Sequence, residues 1–166
     1  RITNGDPTVA AAQSVTMIQC VGCRQEDRNY CARVCCGQAV KNALKLKEND
    51  PDKEVYILFR DMRTYGFSED YYREAASQKV NFVRWEPESK PVVEATVEEG
   101  RPVLRTTVLD PVLLKNLAID SDLVVLSAAV VPSATANEVA RWFKVPMNPD
   151  GFFQEAHVKL RPVDFA

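Results

Sequence analysis

Short apolar runs alternate with helix-forming segments through the first half of this 166-residue chain. Three of the runs, residues 15–20, "EVYILFR" and "VNFVRW", are rich in β-branched and aromatic residues and have the length of strands. Strands that are joined through helices by short connections run parallel to one another. The alternation therefore predicts an α/β domain around a parallel sheet.

Three helices are predicted in and after this alternation. Asn29 is placed as the N-cap of the first, which is expected from about Tyr30 to Lys47 in a stretch of good helix formers. Ser68 is placed as the cap of the second, "EDYYREAASQ". Thr135 and Glu138 have the spacing of a capping box, which predicts the start of a third, short helix.

The second half of the chain has a different pattern. Residues 91–110 alternate apolar and polar side chains around Glu99-Gly100, which predicts an antiparallel hairpin within a β-meander. "DLVVLSAAVVP" is almost wholly apolar and is predicted to be a buried central strand, whereas the turn-rich tail is predicted to hold neither helix nor strand. The predicted fold class is a Rossmann-like, three-layer α/β domain with a parallel sheet plus an antiparallel β-meander. It is expected to be one domain, with an entry segment (1–14), the Rossmann-like body (15–145) and a tail (146–166).

Charge and hydropathy exclude several classes of partner. A net charge of −2 provides no electrostatic attraction to nucleic acid or to an anionic membrane. No apolar run approaches the ~18 residues of a transmembrane helix, and no signal peptide is found at the start. The cysteines are odd in number and clustered in one segment, which is not the distribution of a disulfide framework. A cytoplasmic location with reduced thiols is therefore expected.

All five cysteines lie between residues 20 and 36, around the turn that follows the first predicted strand. A dinucleotide-binding domain has three glycines in this turn, and only Gly22 remains here, so an ordinary NAD site is not expected. Cys20 ends the strand, and the predicted helix carries Cys31 and Cys35 on one face, with Cys36 about 100° further round. From the residues alone, three interpretations stay open: ligands of zinc or of an iron–sulfur cluster, half-cystines, or buried small side chains.

Several unusual strings in this chain also occur together in one known family. "VTMIQCVGCR", "YCARVCC", "EVYILFRDMRTYGF" and "DGFFQEAHVKLRPVDFA" resemble the A subunit of heterodisulfide reductase and its relatives from anaerobes, and the resemblance spans nearly the whole chain. Proteins of that family are much longer and have a thioredoxin-reductase-like flavoprotein core. The resemblance implies that this chain is the inserted domain of such a core, and that residues 146–166 lead back toward an FAD-binding domain.

The same resemblance implies a ligand set. Cys20, Cys31, Cys35 and Cys36 match the four ligands of a non-standard 4Fe–4S cluster close to the flavin. The family usually has serine where this chain has Cys23, which is therefore expected to be a spectator, an alternative ligand or a disulfide partner of Cys20 in the absence of a cluster. His157 is the one histidine; a structural, hydrogen-bonded role is preferred for it, and a position near the flavin of the whole protein is the alternative. FAD itself is expected only in the full-length protein, and the isolated chain is expected to lose its cluster in air.

The implied function is electron transport within a flavin- and iron–sulfur-dependent oxidoreductase. Its partners would be the other heterodisulfide reductase-type subunits and electron-donor proteins, with a homodimer also allowed, and no residue of this segment is needed as an acid, base or nucleophile. One alternative is a non-redox interaction module with a structural zinc site or a disulfide. Another is a pyridine-nucleotide domain. Arg60, Asp61 and Arg63 close the second strand, where the arginines would then bind a phosphate; a solvated strand end is the preferred interpretation of these three residues.

Overall fold

The computed structural model describes residues 5–157 and 160–166, apart from the side chains of residues 162 and 163. Residues 1–4 of the predicted entry segment lie outside the described residues. In chain order the elements are α1 (Pro7–Ala11), β1 (Ser14–Val21), α2 (Cys35–Asn49), β2 (Glu54–Phe59), α3 (Ser68–Ser77), β3 (Asn81–Arg84), β4 (Val92–Glu98), β5 (Arg101–Asp110), β6 (Lys115–Ser121), β7 (Leu123–Ala128), α4 (Ala136–Phe143), β8 (Glu155–His157) and β9 (Arg161–Phe165).

A parallel sheet of four strands, in the order β3-β2-β1-β7, forms the centre of the domain. In β1, Val15 is in register with Val55 of β2 on one side and with Leu123 of β7 on the other. The strands β4, β5 and β6 form a separate antiparallel meander, and β8 pairs with β9. The predicted fold class, a parallel sheet with an antiparallel β-meander, is confirmed.

Two apolar cores flank the parallel sheet, because β1 and β2 bury side chains on both faces. The helical face buries side chains from these strands and from α2, namely Val15, Met17, Val40, Leu46 and Ile57. The opposite face buries side chains from the same strands and from the meander, namely Ile18, Leu58, Val108 and Ile119. Successive residues of a strand point to opposite faces, so Met17 and Ile18 belong to different cores. The sheet is thus the middle of three layers.

The predicted start of the first long helix is wrong. α2 begins at Cys35 and not at Tyr30, and the residue at its N-cap position is Val34, which makes no side-chain capping bond. Arg33 has a φ of 64°, a left-handed conformation that a right-handed helix cannot contain. The segment from Asn29 to Arg33 is therefore part of a loop.

The capping predictions for the other helices are only partly confirmed. α3 starts at Ser68 itself, with Phe67 at the N-cap position. Thr135 is the N-cap of α4, but its hydroxyl shares a hydrogen bond of 3.1 Å with the Ser133 hydroxyl and caps no backbone N–H. The short helix α1, whose first turn is capped by the Asp6 carboxylate, was not predicted. None of the described helices is long and apolar enough to cross a membrane.

Two strand predictions in the second half are wrong. β7 lies at the edge of the parallel sheet and not at its centre, because β1 and β2 occupy the central positions; Leu126 of β7 is 55% exposed. The tail does contain strands, since β8 and β9 pair antiparallel with Glu155 opposite Phe165.

Candidate metal centre

The cysteine-rich segment lies where β1 ends and α2 begins, at the carboxyl edge of the parallel strands. Ligands of open α/β sheets bind at this edge. Residues 22–34 form an irregular loop between the two elements. All five cysteines are free thiols, so none of the disulfides considered above is present. Three are buried and two are half-buried: Cys20, Cys23 and Cys36 in the first group, Cys31 and Cys35 in the second.

Cys20 lies in a bulge of β1. The pairing of β1 with β7 passes from Ile18↔Leu126 to Val21↔Ala128, so β1 has one extra residue at this point. Cys20 also has a left-handed φ of 63°, which is uncommon for a residue that is not glycine. Because a bulge redirects the side chains around it, Cys20 takes an orientation that regular strand pairing would not give it.

Cys35 and Cys36 form the first turn of α2. The backbone N–H groups at this helix start lie near the Cys35 sulfur and partly offset the rise in the pKa of its thiol. The two thiols also hydrogen-bond to each other, which lowers the pKa of Cys36 to about 7 and raises the pKa of Cys35. The Cys36 thiol therefore loses its proton more readily than the Cys35 thiol.

The loop that follows β2 provides further contacts to Cys36. The Cys36 thiol donates to the carbonyl oxygen of Asp61, with 3.7 Å between Sγ and O. The backbone N–H of Arg63 hydrogen-bonds to the same sulfur. The Asp61 and Arg63 side chains are exposed, as the interpretation of a solvated strand end predicts, but their backbone groups face the thiol.

Arg24 connects this loop to Cys20. Its Nη2 lies 2.5 Å from Oδ2 of Asp61, with 17% of the Arg24 side chain exposed, and this bond lowers the pKa of the Asp61 carboxyl. Burial and the neighbouring Cys23 raise the pKa of the Cys20 thiol, and the adjacent Arg24 guanidinium partly offsets that rise. The guanidinium hydrogen-bonds to the Cys20 sulfur, and its buried Nη1 has no oxygen or nitrogen partner among the described residues.

The part of the loop that carries Cys31 is tied to the second half of the chain. The hydroxyl of Tyr30 donates to the carbonyl oxygen of Val130 at 2.9 Å. Arg33 forms an ion pair of 2.7 Å with Glu155 of β8, and its backbone N–H donates to the Cys31 sulfur at 3.3 Å. These contacts hold Cys31 beside the start of α2, although it is not part of a helix.

The four cysteines predicted as ligands are thus neighbours at one edge of the sheet. Electrostatic interactions connect Cys20 with Cys35 and with Cys36, and Cys36 with Cys31. The predicted i, i+4 relation of Cys31 and Cys35 on one helix face is wrong, since Cys31 lies in the loop. Cys23 is 2% exposed and belongs to the apolar core on the meander side of the sheet.

A single metal ion and a cluster place different requirements on these thiols. Within residues 5–157 and 160–166, no group of three or more His, Cys, Asp or Glu side chains is placed so that it could hold a metal ion. A tetrahedral zinc site needs sulfurs about 3.8 Å apart, from its Zn–S bonds of about 2.3 Å. A four-iron cluster spaces its thiolates more widely, because each binds a different iron. The donor set fits such a cluster in its chemistry: only thiols, a helix N-terminus and a largely buried guanidinium that hydrogen-bonds to one of the thiols.

Two of the other residues singled out from the sequence have structural contacts. His157 is exposed in β8, and its Nδ1 accepts a hydrogen bond of 3.1 Å from the backbone N–H of Leu160. The Arg60 guanidinium lies 5.7 Å from the centroid of the Trp85 ring, and it also donates to the carbonyl oxygen of Arg24. Arg60 therefore supports the loop that carries Arg24.

Sequence reasoning missed the polar residues around the thiols. Arg24 and Asp61 are separated by 37 positions, and nothing in their local sequence pairs them. Gln19 is fully buried, and neither atom of its carboxamide has a hydrogen-bond partner among the described residues. The sequence does hold a signal for Gln19, because it is a polar residue inside an otherwise apolar strand, directly before a cysteine.

Curated relatives match most of this chain, and all three named here are A subunits of heterodisulfide reductases. That of the ferredoxin:CoB-CoM heterodisulfide reductase of Methanosarcina acetivorans is 39% identical over 153 residues, covering 90% of this chain and 18% of the relative. The iron-sulfur A subunit of the CoB--CoM heterodisulfide reductase of Methanocaldococcus jannaschii is 40% identical over 154 residues, which are 90% of this chain and 23% of the relative. The A subunit of the H(2)/formate:CoB-CoM heterodisulfide,ferredoxin reductase of Methanococcus maripaludis is 41% identical over 160 residues, which are 93% of this chain and 23% of the relative.

The chain is homologous to a segment of the heterodisulfide reductase A subunit. The predicted resemblance is thereby confirmed, and the relatives are, by their names, oxidoreductase subunits. The chain spans only about a fifth of their length. No family model matches the chain.

A solved structure supports the fold. Thioredoxin reductase from T. acidophilum superposes with a TM-score of 0.51 at 12% identity, over 90% of this chain and 41% of that one. At this identity the likeness concerns the fold alone. It confirms the Rossmann-type domain that the family resemblance implied.

Proposed function

We propose that this chain is an electron-transfer domain of a heterodisulfide reductase-type oxidoreductase, and that Cys20, Cys31, Cys35 and Cys36 hold a non-standard 4Fe–4S cluster. The observation that carries the proposal is that the four thiols lie between the end of β1 and the start of α2, at the carboxyl edge of the sheet, and interact electrostatically there. A bound cluster supplies reversible one-electron transfer. The name of the Methanocaldococcus jannaschii relative, which calls it an iron-sulfur protein, supports the assignment.

The residues around the thiols have the roles that an anionic group requires. The N-terminus of α2 carries the positive end of the helix dipole, which favours thiolates and a net-negative group. The largely buried Arg24 side chain adds a positive charge beside Cys20. Burial of Cys20 and Cys36 keeps water away from the sulfurs, and with it one route of oxidation.

The rest of the proposal concerns the longer protein. There, residues 146–166 lead to an FAD-binding part, His157 lies near the flavin, and the cluster exchanges electrons with FAD. The partners are the other heterodisulfide reductase-type subunits and electron-donor proteins, and a homodimer is compatible with this arrangement. Five free thiols suit a reducing compartment, so we place the protein in the cytoplasm.

Anaerobic reconstitution of the chain, followed by iron, sulfide and zinc analysis and a visible spectrum, tests the proposal. We expect about four irons and four sulfides per chain, the content of one such cluster. Cys35→Ser and Cys36→Ser should lose most of the iron and the visible absorbance. The matched control is Cys23→Ser, because Cys23 belongs to the apolar core, and it should retain both.

Other metal contents would point elsewhere. One zinc per chain, with no sulfide, would contradict the proposal and favour a structural zinc module. Iron that survives both Cys35→Ser and Cys36→Ser would exclude this ligand set.

A further inference from the structure

The Arg24 guanidinium contacts two groups, the Asp61 carboxylate and the Cys20 sulfur. Nη2 forms the ion pair with Asp61 at 2.5 Å. The guanidinium also hydrogen-bonds to the Cys20 sulfur, and its Nη1 is buried without an oxygen or nitrogen partner among the described residues. Buried N–H donors are almost always satisfied in folded proteins, so the acceptor of Nη1 is expected at the Cys20 sulfur and at the group bound to it.

The surrounding residues fix the guanidinium in this position. The backbone N–H of Arg24 donates to the carbonyl oxygen of Tyr30 at 3.1 Å, and its own carbonyl oxygen accepts from Arg60. Arg60 in turn lies over the Trp85 ring. The side chain is therefore held at both ends, by its backbone bonds and by Asp61.

The backbone at the site is held away from its ordinary conformations. Cys20, Arg24 and Arg33 have left-handed φ values of 63°, 57° and 64°. Such conformations are uncommon for residues other than glycine and persist where the surrounding structure enforces them. These three residues are the thiol residue Cys20, the arginine beside it, and the arginine whose backbone N–H donates to the Cys31 sulfur.

We infer that Arg24 is a positioning residue that donates a charge-assisted hydrogen bond from Nη1 to the sulfur-rich group held at Cys20 and raises the reduction potential of that group. This inference rests on the proposed function. Reduction adds a negative charge, which a fixed positive donor favours. Because only 17% of the Arg24 side chain is exposed, solvent screens the interaction little.

The test is the midpoint potential of the reconstituted 166-residue chain, measured by anaerobic titration with absorbance and electron paramagnetic resonance. Arg24→Gln removes the charge, and Arg24→Lys retains it but loses the forked donor geometry. We expect a negative shift for Arg24→Gln and a smaller negative shift for Arg24→Lys. The matched control is Arg73→Gln on α3, where the arginine pairs with the exposed Glu69; its potential should equal that of the wild type.

The outcomes separate the inference from the proposed function. A wild-type chain that takes up no iron and sulfide would defeat the proposed function and the inference with it. A wild type that holds the cluster, with Arg24→Gln at the potential of Arg73→Gln, would overturn the inference alone. If Arg24→Gln does not retain a cluster, the inference is tested by Arg24→Lys alone. A midpoint potential of Arg24→Lys equal to that of the wild type would then overturn it.

Discussion

Replacing Asp61 by asparagine should destabilise the domain by leaving the Arg24 guanidinium without its carboxylate. The change is nearly isosteric, so it removes the charge and little else. Asp61 Oδ2 lies 2.5 Å from Arg24 Nη2, and the two side chains are 50% and 17% exposed. One partner is thus near solvent and the other is largely buried.

The magnitude follows from this half-buried geometry. Unit charges about 4 Å apart attract by roughly 4 kcal/mol at an effective dielectric constant of about 20. Exposed pairs contribute about 0.2–1 kcal/mol, whereas breaking a buried pair costs about 3–5 kcal/mol. With Asp61 half exposed and Arg24 not, Asp61→Asn should lower the free energy of unfolding by about 1–3 kcal/mol at pH 7.

The pH dependence has a definite sign. Arg24 lowers the pKa of the folded Asp61 carboxyl. A carboxyl with a lowered pKa stabilises the fold fully above its unfolded pKa, about 3.9, and this contribution is lost as the pH falls through the folded pKa. The difference between wild type and Asp61→Asn should therefore be constant at neutral pH and shrink below about pH 4.

Urea unfolding of the reduced, metal-free protein at several pH values measures this difference. Asp27→Asn is the matched control, since Asp27 pairs with Arg28 at 3.4 Å and both side chains are well exposed, at 60% and 43%. That variant should lose less than about 0.5 kcal/mol. Equal losses for Asp61→Asn and Asp27→Asn, or a difference independent of pH, would refute the reasoning.

Two further predictions concern a buried hydroxyl and the adjacent thiols. Thr106 is fully buried, and its hydroxyl has no hydrogen-bond partner among the described residues. Thr106→Val should therefore stabilise the domain by about 1 kcal/mol in thermal unfolding, whereas Thr107→Val at the half-buried neighbour should not; a destabilised Thr106→Val would show that the hydroxyl is satisfied. In the metal-free protein, ultraviolet titration should find one thiolate forming at about pH 7, assigned to Cys36. Cys35→Ala should move that titration to higher pH, because it removes the hydrogen bond that lowers the pKa; an unmoved titration would assign the thiolate elsewhere.

Features that depend on local periodicity were predictable from the sequence. β1 was expected at residues 15–20 and is found at Ser14–Val21, because its side chains are buried on both faces and leave a continuous apolar run. The hairpin of β4 and β5 turns at Glu99-Gly100 as expected, and both residues have positive φ. In these elements the local preference and the tertiary packing agree.

Features that depend on distant contacts were not predictable. Arg33 ends any helix from Tyr30, and its side chain is paired with Glu155, 122 positions away. β7 is as apolar as a central strand, but its place at the edge follows from the order of the strands, which hydropathy does not encode. The Arg24–Asp61 pair likewise joins the ends of two strands that only the fold brings together.

The departures from prediction converge on one edge of the sheet, and together they explain how a dinucleotide-type fold can present thiols there. A phosphate cradle needs glycines, because the backbone must approach the ligand closely. Here Gly22 is the one glycine of that turn, and the other left-handed positions are taken by Cys20, Arg24 and Arg33. Residues with full side chains therefore stand at left-handed positions of the kind that a phosphate cradle fills with glycine.

The start of α2 at Cys35, five residues later than predicted, also determines which groups lie at this edge. It releases Cys31 into the loop and leaves the Cys35–Cys36 pair at the helix N-terminus, which in a dinucleotide domain would bind the phosphate. The same positive dipole can then favour thiolates in place of a phosphate. Under the proposed function, the position of the binding edge is kept, while the bound group changes from a phosphate to a sulfur-ligated cluster.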